Sequence, residues 1–321
     1  MDEFDLIRKF FQREEAEQPA AGVIQGIGDD CAILDLPGQQ HLAVSVDTLV
    51  EGVHFPAGAD PELIAERALR TNLSDIAAAG ATPLWFTLAL TLPRVDEDWL
   101  RGFSRGLFAA ANTYGCALVG GDTTSGPLTI SIQIMGSVPA HLAHRRDGAS
   151  VGDFVLVTHT LGEGAAALAW LQGRVEFDEQ YHQALTDRFY RPEPRLKEAA
   201  LLRGIASAAL DISDGLLADL GHICTASDLG ALVDVGALPL SPALQSLDDS
   251  QLVYQWALAG GDDYELCFTV PPSAMPDVAL LIARGELQAT VIGELVSAPG
   301  VFCELDGEPY QPERQGYQHF S

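Results

Sequence analysis

Apolar and polar positions recur along the chain in two periods, and the switches between them predict its elements. In residues 2–15, Phe4, Ile7, Phe10 and Phe11 fall on one side of a short helix. Residues 31–34 and 41–46 read as two strands paired across a turn at Pro37-Gly38. Asp60-Pro61-Glu62 combines an N-cap acceptor, a proline at the first helical position and an acid in the first turn. A helix therefore starts there, turns Leu63, Ile64, Leu69, Leu73 and Ile76 inward, and stops near Gly80. Asn72 and Asp75, three apart on it, share a face. A strand at 85–92, a helix at 97–114, a strand at 117–119 ending on Gly120-Gly121-Asp122, and a strand at 128–138 follow.

The stretch 139–153 is polar and turn-rich, with Arg145 and Arg146 adjacent, and marks a boundary between a domain of residues 1–140 and one of residues 150–321. The second half restarts with a strand at 153–158 and a helix near Gly162. After a break at 191–194 come a helix at 196–205, a corner at Ser213-Asp214-Gly215 and a helix at 216–227. A strand at 231–235, a helix at 250–259, a strand at 264–270, a helix at 276–284 and a strand at 289–292 complete the pattern. Helices alternating with strands at Gly-Asp corners define an α/β chain, without deciding which strands are parallel.

Composition narrows the function. The 321 residues allow two domains with separate cores, and the formal net charge of -27 disfavours nucleic acid and anionic membranes as partners. Lysine occurs only at Lys9 and Lys197, and no Gly-x-x-x-x-Gly-Lys-Ser/Thr loop is present, so a phosphate ligand would need another source of positive charge. Five scattered cysteines without a Cys-x-x-Cys pair argue against a zinc site or disulfide framework and for a cytoplasmic protein. The N-terminus lacks the pattern of a secretory signal, and no apolar run is long enough to span a bilayer.

The candidate chemistry lies in acidic corners that end apolar runs: Asp30, Asp47, Asp75, Asp122, Asp211 with Asp214, and Asp262 with Asp263. Any one of them is first a turn residue or helix cap. Gathered together they would repel unless cations held them, which points to Mg2+ bridging carboxylates and phosphate. Gly162-Glu-Gly-Ala-Ala-Ala167 matches a dinucleotide fingerprint, but no second strand carries an acid about 20 residues on, and close helix–strand packing explains its glycines better. His54, just past Asp47, is a candidate substrate contact. No Ser or Cys sits in a nucleophile motif.

Six motifs in order make the chain resemble the thiamine-monophosphate kinase family. They are Gly26-Ile-Gly-Asp-Asp30, Ser45-Val-Asp-Thr-Leu-Val-Glu-Gly-Val-His-Phe55, Asn72-Leu-Ser-Asp75 through Pro83, Gly120-Gly-Asp-Thr-Thr124, Asp211-Ile-Ser-Asp-Gly-Leu216 and Gly260-Gly-Asp-Asp-Tyr-Glu-Leu266. The resemblance implies the two-domain fold of aminoimidazole ribonucleotide synthetase. In it the N-terminal domain, which binds ATP and Mg2+, pairs across a homodimer into a β-barrel-like core, and the C-terminal domain is an α/β sandwich. It implies ATP-dependent phosphorylation of thiamine monophosphate by direct in-line transfer, with Asp30, Asp47 and Asp75 central to catalysis. Carried over by position, Asp30, Ser45, Asp47, Asp75, Asp122, Asp211 and Asp214 form the metal set, with Thr48 a candidate addition. Gly121, Asp122, Arg146 and Ser213 contact the nucleotide, and His54, Asp262 and Tyr317 the thiamine phosphate. Three other readings remain open: another ATP user of this fold acting on a different phosphate or carboxylate, a non-catalytic ion or nucleotide binder, and a nicotinamide oxidoreductase built on 162–167.

Overall fold

Long strands that alternate buried and exposed residues need one covering layer, and the first part of the chain is built on that rule. The structure, a computed structural model, describes residues 9–10, 23–25, 33–34, 36, 38–314 and 316. The chain divides into two compact units, one of residues up to Ile76 with Ala81–His141, the other of Ala77–Gly80 with Leu142–Ser321.

In the first unit, β1 (Val23–Gln25) pairs with β2 (Ile33–Leu34). Then come β3 (Gln40–Val50), α1 (Pro61–Ala78), β4 (Thr82–Leu92), α2 (Glu97–Tyr114), β5 (Ala117–Ser125) and β6 (Thr129–Pro139). The four-stranded sheet has the order β3-β6-β4-β5, parallel only between β4 and β5. Its inner face, with Leu49, Phe86, Leu88, Leu90, Ile130, Ile132 and Ile134, is buried together with Ile64, Leu69 and Leu73 of α1 and Leu100, Phe103 and Leu107 of α2. Its outer face remains open, and on the edge strand β3 it exposes Leu42, Val44 and Val46 by 48%, 52% and 61%.

In the second unit follow β7 (Phe154–Thr158), α3 (Glu163–Leu171), α4 (Glu179–Tyr190), α5 (Leu196–Leu201), β8 (Ala208–Asp211), α6 (Leu216–Ser227) and β9 (Gly230–Asp234). The remaining elements are α7 (Pro242–Gln245), α8 (Ser250–Ala259), β10 (Leu266–Val270), α9 (Met275–Ala283), β11 (Ala289–Val296), β12 (Gly300–Leu305) and β13 (Glu308–Tyr310). Seven strands form one sheet in the order β13-β12-β9-β11-β7-β10-β8. The period-2 pleat sorts their side chains. Val155, Val157, Leu210 and Cys267 join α6 and α8 in one core, while Leu156, Ala209, Leu266 and Phe268 join α5 and α9 in another. Both faces are covered. No described helix is long and apolar enough to cross a membrane.

Several expectations need correction. The segments at 31–34 and 41–46 do not pair with each other: β2 pairs with β1, and β3 pairs along all eleven residues with β6, from Gln40 opposite Pro139 to Val50 opposite Thr129. A full-length partner satisfies far more backbone than a local hairpin could. The strand expected to stop at 119 runs through Gly120-Gly121-Asp122 to Ser125. There a Cβ on Gly121 would lie 1.9 Å from the Leu88 carbonyl oxygen, so glycine is what lets the strand continue beside β4. Helix α4 had no counterpart in the sequence reading; it is mostly polar and buries only Leu185, Phe189 and Tyr190. The helix expected over 196–205 ends at Leu201, and β12 and β13 had no counterpart in the sequence reading. Of the helix expected at 2–15, only Lys9 and Phe10, both helical, fall within the described residues.

Candidate active site

In the first unit the site begins where β3 runs along α1. Ser45, Asp47 and Leu49 alternate onto the inner face, because Asp47 pairs with the buried Ile132 and Ser45 with the buried Ile134. Being at the sheet edge, β3 has a free amide at Asp47, which donates to Asn72 Oδ1 at 3.1 Å. Asn72 is fully buried and donates in turn to the Ala68 carbonyl at 2.8 Å. One turn along α1, Asp75 Oδ2 accepts from Ser45 Oγ at 2.5 Å. Ser45, Asp47 and Asp75 are thus brought together. Burial pushes the Asp47 carboxyl up to about 6, and the nearby Asp75 charge adds to the shift.

His54 sits in the turn after β3, half-buried, and its Nδ1 accepts from the Val50 amide at 3.0 Å. In the neutral ring that leaves the proton on Nε2. Thr48 lies on the other side of the sheet, with its hydroxyl 2.7 Å from that of Ser131. Asp122 falls in that same row, opposite Ala89, which is opposite Ser131, so its register is one residue off the row of Asp47. Gly121 falls in the Asp47 row, opposite Leu88. Asp30 lies outside the described residues.

In the second unit the corner after β8 gathers Asp211, Ser213 and Asp214. Asp211 is 8% exposed, Asp214 half-buried and Ser213 exposed. The loop carrying Asp262 lies against this corner: the Asp262 amide donates to the Ser213 carbonyl at 2.9 Å and the Tyr264 amide to the Ile212 carbonyl at 2.7 Å. Arg146 is exposed, but its main chain is anchored away from Ser213, where its carbonyl accepts from Ser227 at the far end of α6. Its neighbour Arg145 is engaged by Asp147 through two nitrogens at 2.7 and 2.5 Å. Tyr317 lies outside the described residues.

Two carboxylates organise these loops: Asp219, which the sequence reading did not single out, and Asp263, which it counted among the acidic corners suited to metal. Asp219, in the first turn of α6 and 4% exposed, accepts the amides of Ser213, Asp214 and Gly215 on one oxygen, each at 3.0 Å. Burial pushes its carboxyl up to about 7, against the pull of those amides. Asp263, fully buried, accepts from the amides of Gly162 at 2.7 Å and Gly164 at 3.1 Å. The only sequence signal for Asp219 was an acid one turn into a helix that follows Gly; for Asp263 it was the second acid of Gly-Gly-Asp-Asp.

The two helix starts that an anion would ordinarily occupy are therefore filled by the protein's own carboxylates. At α3 this removes the phosphate site of a dinucleotide-binding turn. Its glycines serve packing instead: a Cβ on Gly162 would lie 2.8 Å from the Ala257 nitrogen, and one on Gly164 2.3 Å from the Asp262 carbonyl oxygen. Oxygen donors from Ser45, Asp47 and Asp75 suit Mg2+, which is commonly held by one or two carboxylates plus phosphate oxygens. Among the described residues no group of three or more His, Cys, Asp or Glu is close enough to hold a metal ion.

Comparison with known proteins places this chain in a family. The model for the N-terminal domain of AIR synthase related proteins matches residues 28–138, and that for the C-terminal domain matches residues 150–306. The fold is thus that of an AIR synthase-related protein, with two domains of mixed α/β content. The thiamine-monophosphate kinase of Salmonella typhimurium is 49% identical over 99% of this chain and 98% of its own length. The crystal structure of the Stenotrophomonas maltophilia thiamine-monophosphate kinase superposes with a TM-score of 0.83 at 44% identity, covering 90% of this chain and 93% of that one. A structure of AaThiL complexed with AMPPCP and TMP superposes at 0.78 with 32% identity, covering 99% and 96%. The chain belongs to the thiamine-monophosphate kinase family.

Proposed function

We propose that the protein transfers the γ-phosphoryl group of ATP to the phosphate of thiamine monophosphate, giving thiamine diphosphate and ADP. The observation that carries this reading is the Asp47–Asp75 pair, with Ser45 bonded to Asp75, set in a chain that matches thiamine-monophosphate kinases from end to end. A relative complexed with an ATP analogue and TMP supports both substrates.

The residues fit several Mg2+ ions. Ser45, Asp47 and Asp75, with Asp30, would hold them on the first unit, Asp122 would hold one from the other row of the same sheet, and Asp211 and Asp214 would do so on the second. Bound Mg2+ would bridge phosphate oxygens and neutralise charge on the transferring group. The chain's own residues position the reactants. Gly121, Asp122, Ser213 and Arg146 contact the nucleotide. Asp262, Tyr317 and the Nε2–H of His54 contact the acceptor, the last as a hydrogen-bond donor to phosphate. A phosphate monoester is already ionised at neutral pH, so in-line transfer needs no general base.

Two copies pair through the open face of the four-stranded sheet, where Leu42, Val44 and Val46 form an exposed apolar stripe on the edge strand. The cytoplasm is the compartment in which the protein acts, a reading supported by four buried, unpaired thiols at Cys116, Cys224, Cys267 and Cys303.

The test is thiamine diphosphate formation from thiamine monophosphate and ATP, with and without Mg2+, by the native chain and by Asp47→Asn. Product that requires Mg2+ and falls at least about 100-fold in a folded variant is expected. A folded native protein that makes no product would sink the assignment.

A further inference from the structure

The turn that carries Asp262 is held in an unfavourable conformation. Asp262 has φ 70° and Tyr264 φ 51°, both in the left-handed region that non-glycine residues seldom adopt. A turn with two such residues within three positions persists only where its surroundings hold it. Asp263 lies between them, and its side chain points away from the exposed corner into the start of α3.

Four sets of contacts fix this turn. The Asp263 carboxylate takes the Gly162 amide on one oxygen and the Gly164 amide on the other. The absence of a side chain at Gly164 lets α3 come against the Asp262 main chain. Behind Asp263, Arg188 lies 3.9 Å from its carboxylate and 2.8 Å from Glu265, and Arg195 engages Glu265 through two nitrogens at 2.6 and 2.5 Å. On the outer side the Tyr264 hydroxyl donates to Asp262 Oδ1 at 2.8 Å. A carboxylate held by two amides and backed by a guanidinium has one orientation, which it passes to the residue before it.

We infer that Asp263 is a positioning residue for the acceptor side of the reaction: anchored to α3, and assisted by the Tyr264 hydroxyl, it holds Asp262 where that carboxylate meets the acceptor. This rests on the reading of Asp262 as a thiamine-phosphate contact. Asp263 itself touches no substrate.

The full chain is compared with Asp262→Asn, Asp263→Asn and the double variant. The readouts are calorimetric affinity for thiamine monophosphate beside a non-hydrolysable ATP analogue, and the KM for each substrate. Asp263→Asn should weaken acceptor binding and raise its KM about ten-fold while the ATP KM stays within about two-fold, and the double variant should bind no worse than Asp262→Asn alone. Additive losses, or parallel rises in both KM values, overturn the inference while leaving the role of Asp262 intact. If Asp262→Asn binds the acceptor as the native chain does, the contact role of Asp262 falls first and the positioning role with it. Should Asp263→Asn not fold, Tyr264→Phe carries the test: a rise of about three-fold confined to the acceptor supports the inference, and an unchanged acceptor affinity overturns it.

Discussion

Asp47→Asn should make the ligand-free protein more stable while abolishing its activity. Burial and the Asp75 charge raise the Asp47 carboxyl from 3.8 to about 6. A carboxyl raised on folding is favoured in its protonated form. Its contribution is therefore fully present below pH 3.8, and it is lost as pH rises through about 6. At pH 7.5 without divalent ions the native chain carries the whole penalty, about 3 kcal/mol at 1.36 kcal/mol per tenfold change in proton affinity, an upper bound because relaxation and water entry reduce it. The neutral amide is nearly the same size and removes that cost. For a domain of this size the gain amounts to a rise in Tm of up to about 10 °C. The assay is thermal unfolding followed by circular dichroism in EDTA at pH 4.5 and 7.5, for both proteins. The variant should exceed the native chain most at pH 7.5 and by only about a third as much at pH 4.5, where the unfolded carboxyl is already mostly ionised, and Mg2+ with ATP should stabilise only the native chain appreciably. A variant no more stable at pH 7.5, or a difference between the two proteins that is the same at both pH values, would refute the picture of a buried carboxylate, with a second one beside it, relieved by a cation.

Two further outcomes follow from the same structure. Val44→Lys puts a charge in the exposed stripe of β3 without touching the inner core, and should convert a dimer to a folded monomer in sedimentation experiments; a native chain already monomeric at micromolar concentration would remove the pairing. Burial raises the thiols of Cys116 to about 12 and of Cys224 and Cys303 to about 11. These cysteines should therefore react with a disulfide reagent only on denaturation, and rapid labelling of the native protein at pH 8 would contradict their placement.

Local chemistry was enough to mark most elements. Asp60-Pro61-Glu62 starts α1, where the Asp60 side chain accepts the Glu62 amide, and the α2, α6 and α8 boundaries follow from caps and apolar periodicity. The spacing of Asn72 and Asp75 also told that both would face one way, since helix geometry is set within the segment. Other features depend on partners distant in sequence. That β3 pairs with β6, eighty-odd residues away, decides that Ser45 and Asp47 face α1 while Thr48 faces outward, and a one-residue slip would exchange them. That Asp219 and Asp263 bind the protein's own amides rather than a ligand could not be read from acidic corners that look alike in one dimension. By itself the sequence determined where segments begin and end and which residue types could do phosphate chemistry, because capping and periodicity act over a few residues. Only the tertiary structure decided which carboxylates are left for ligands and which are used to hold loops, because that depends on the donors that long-range packing brings within hydrogen-bond reach.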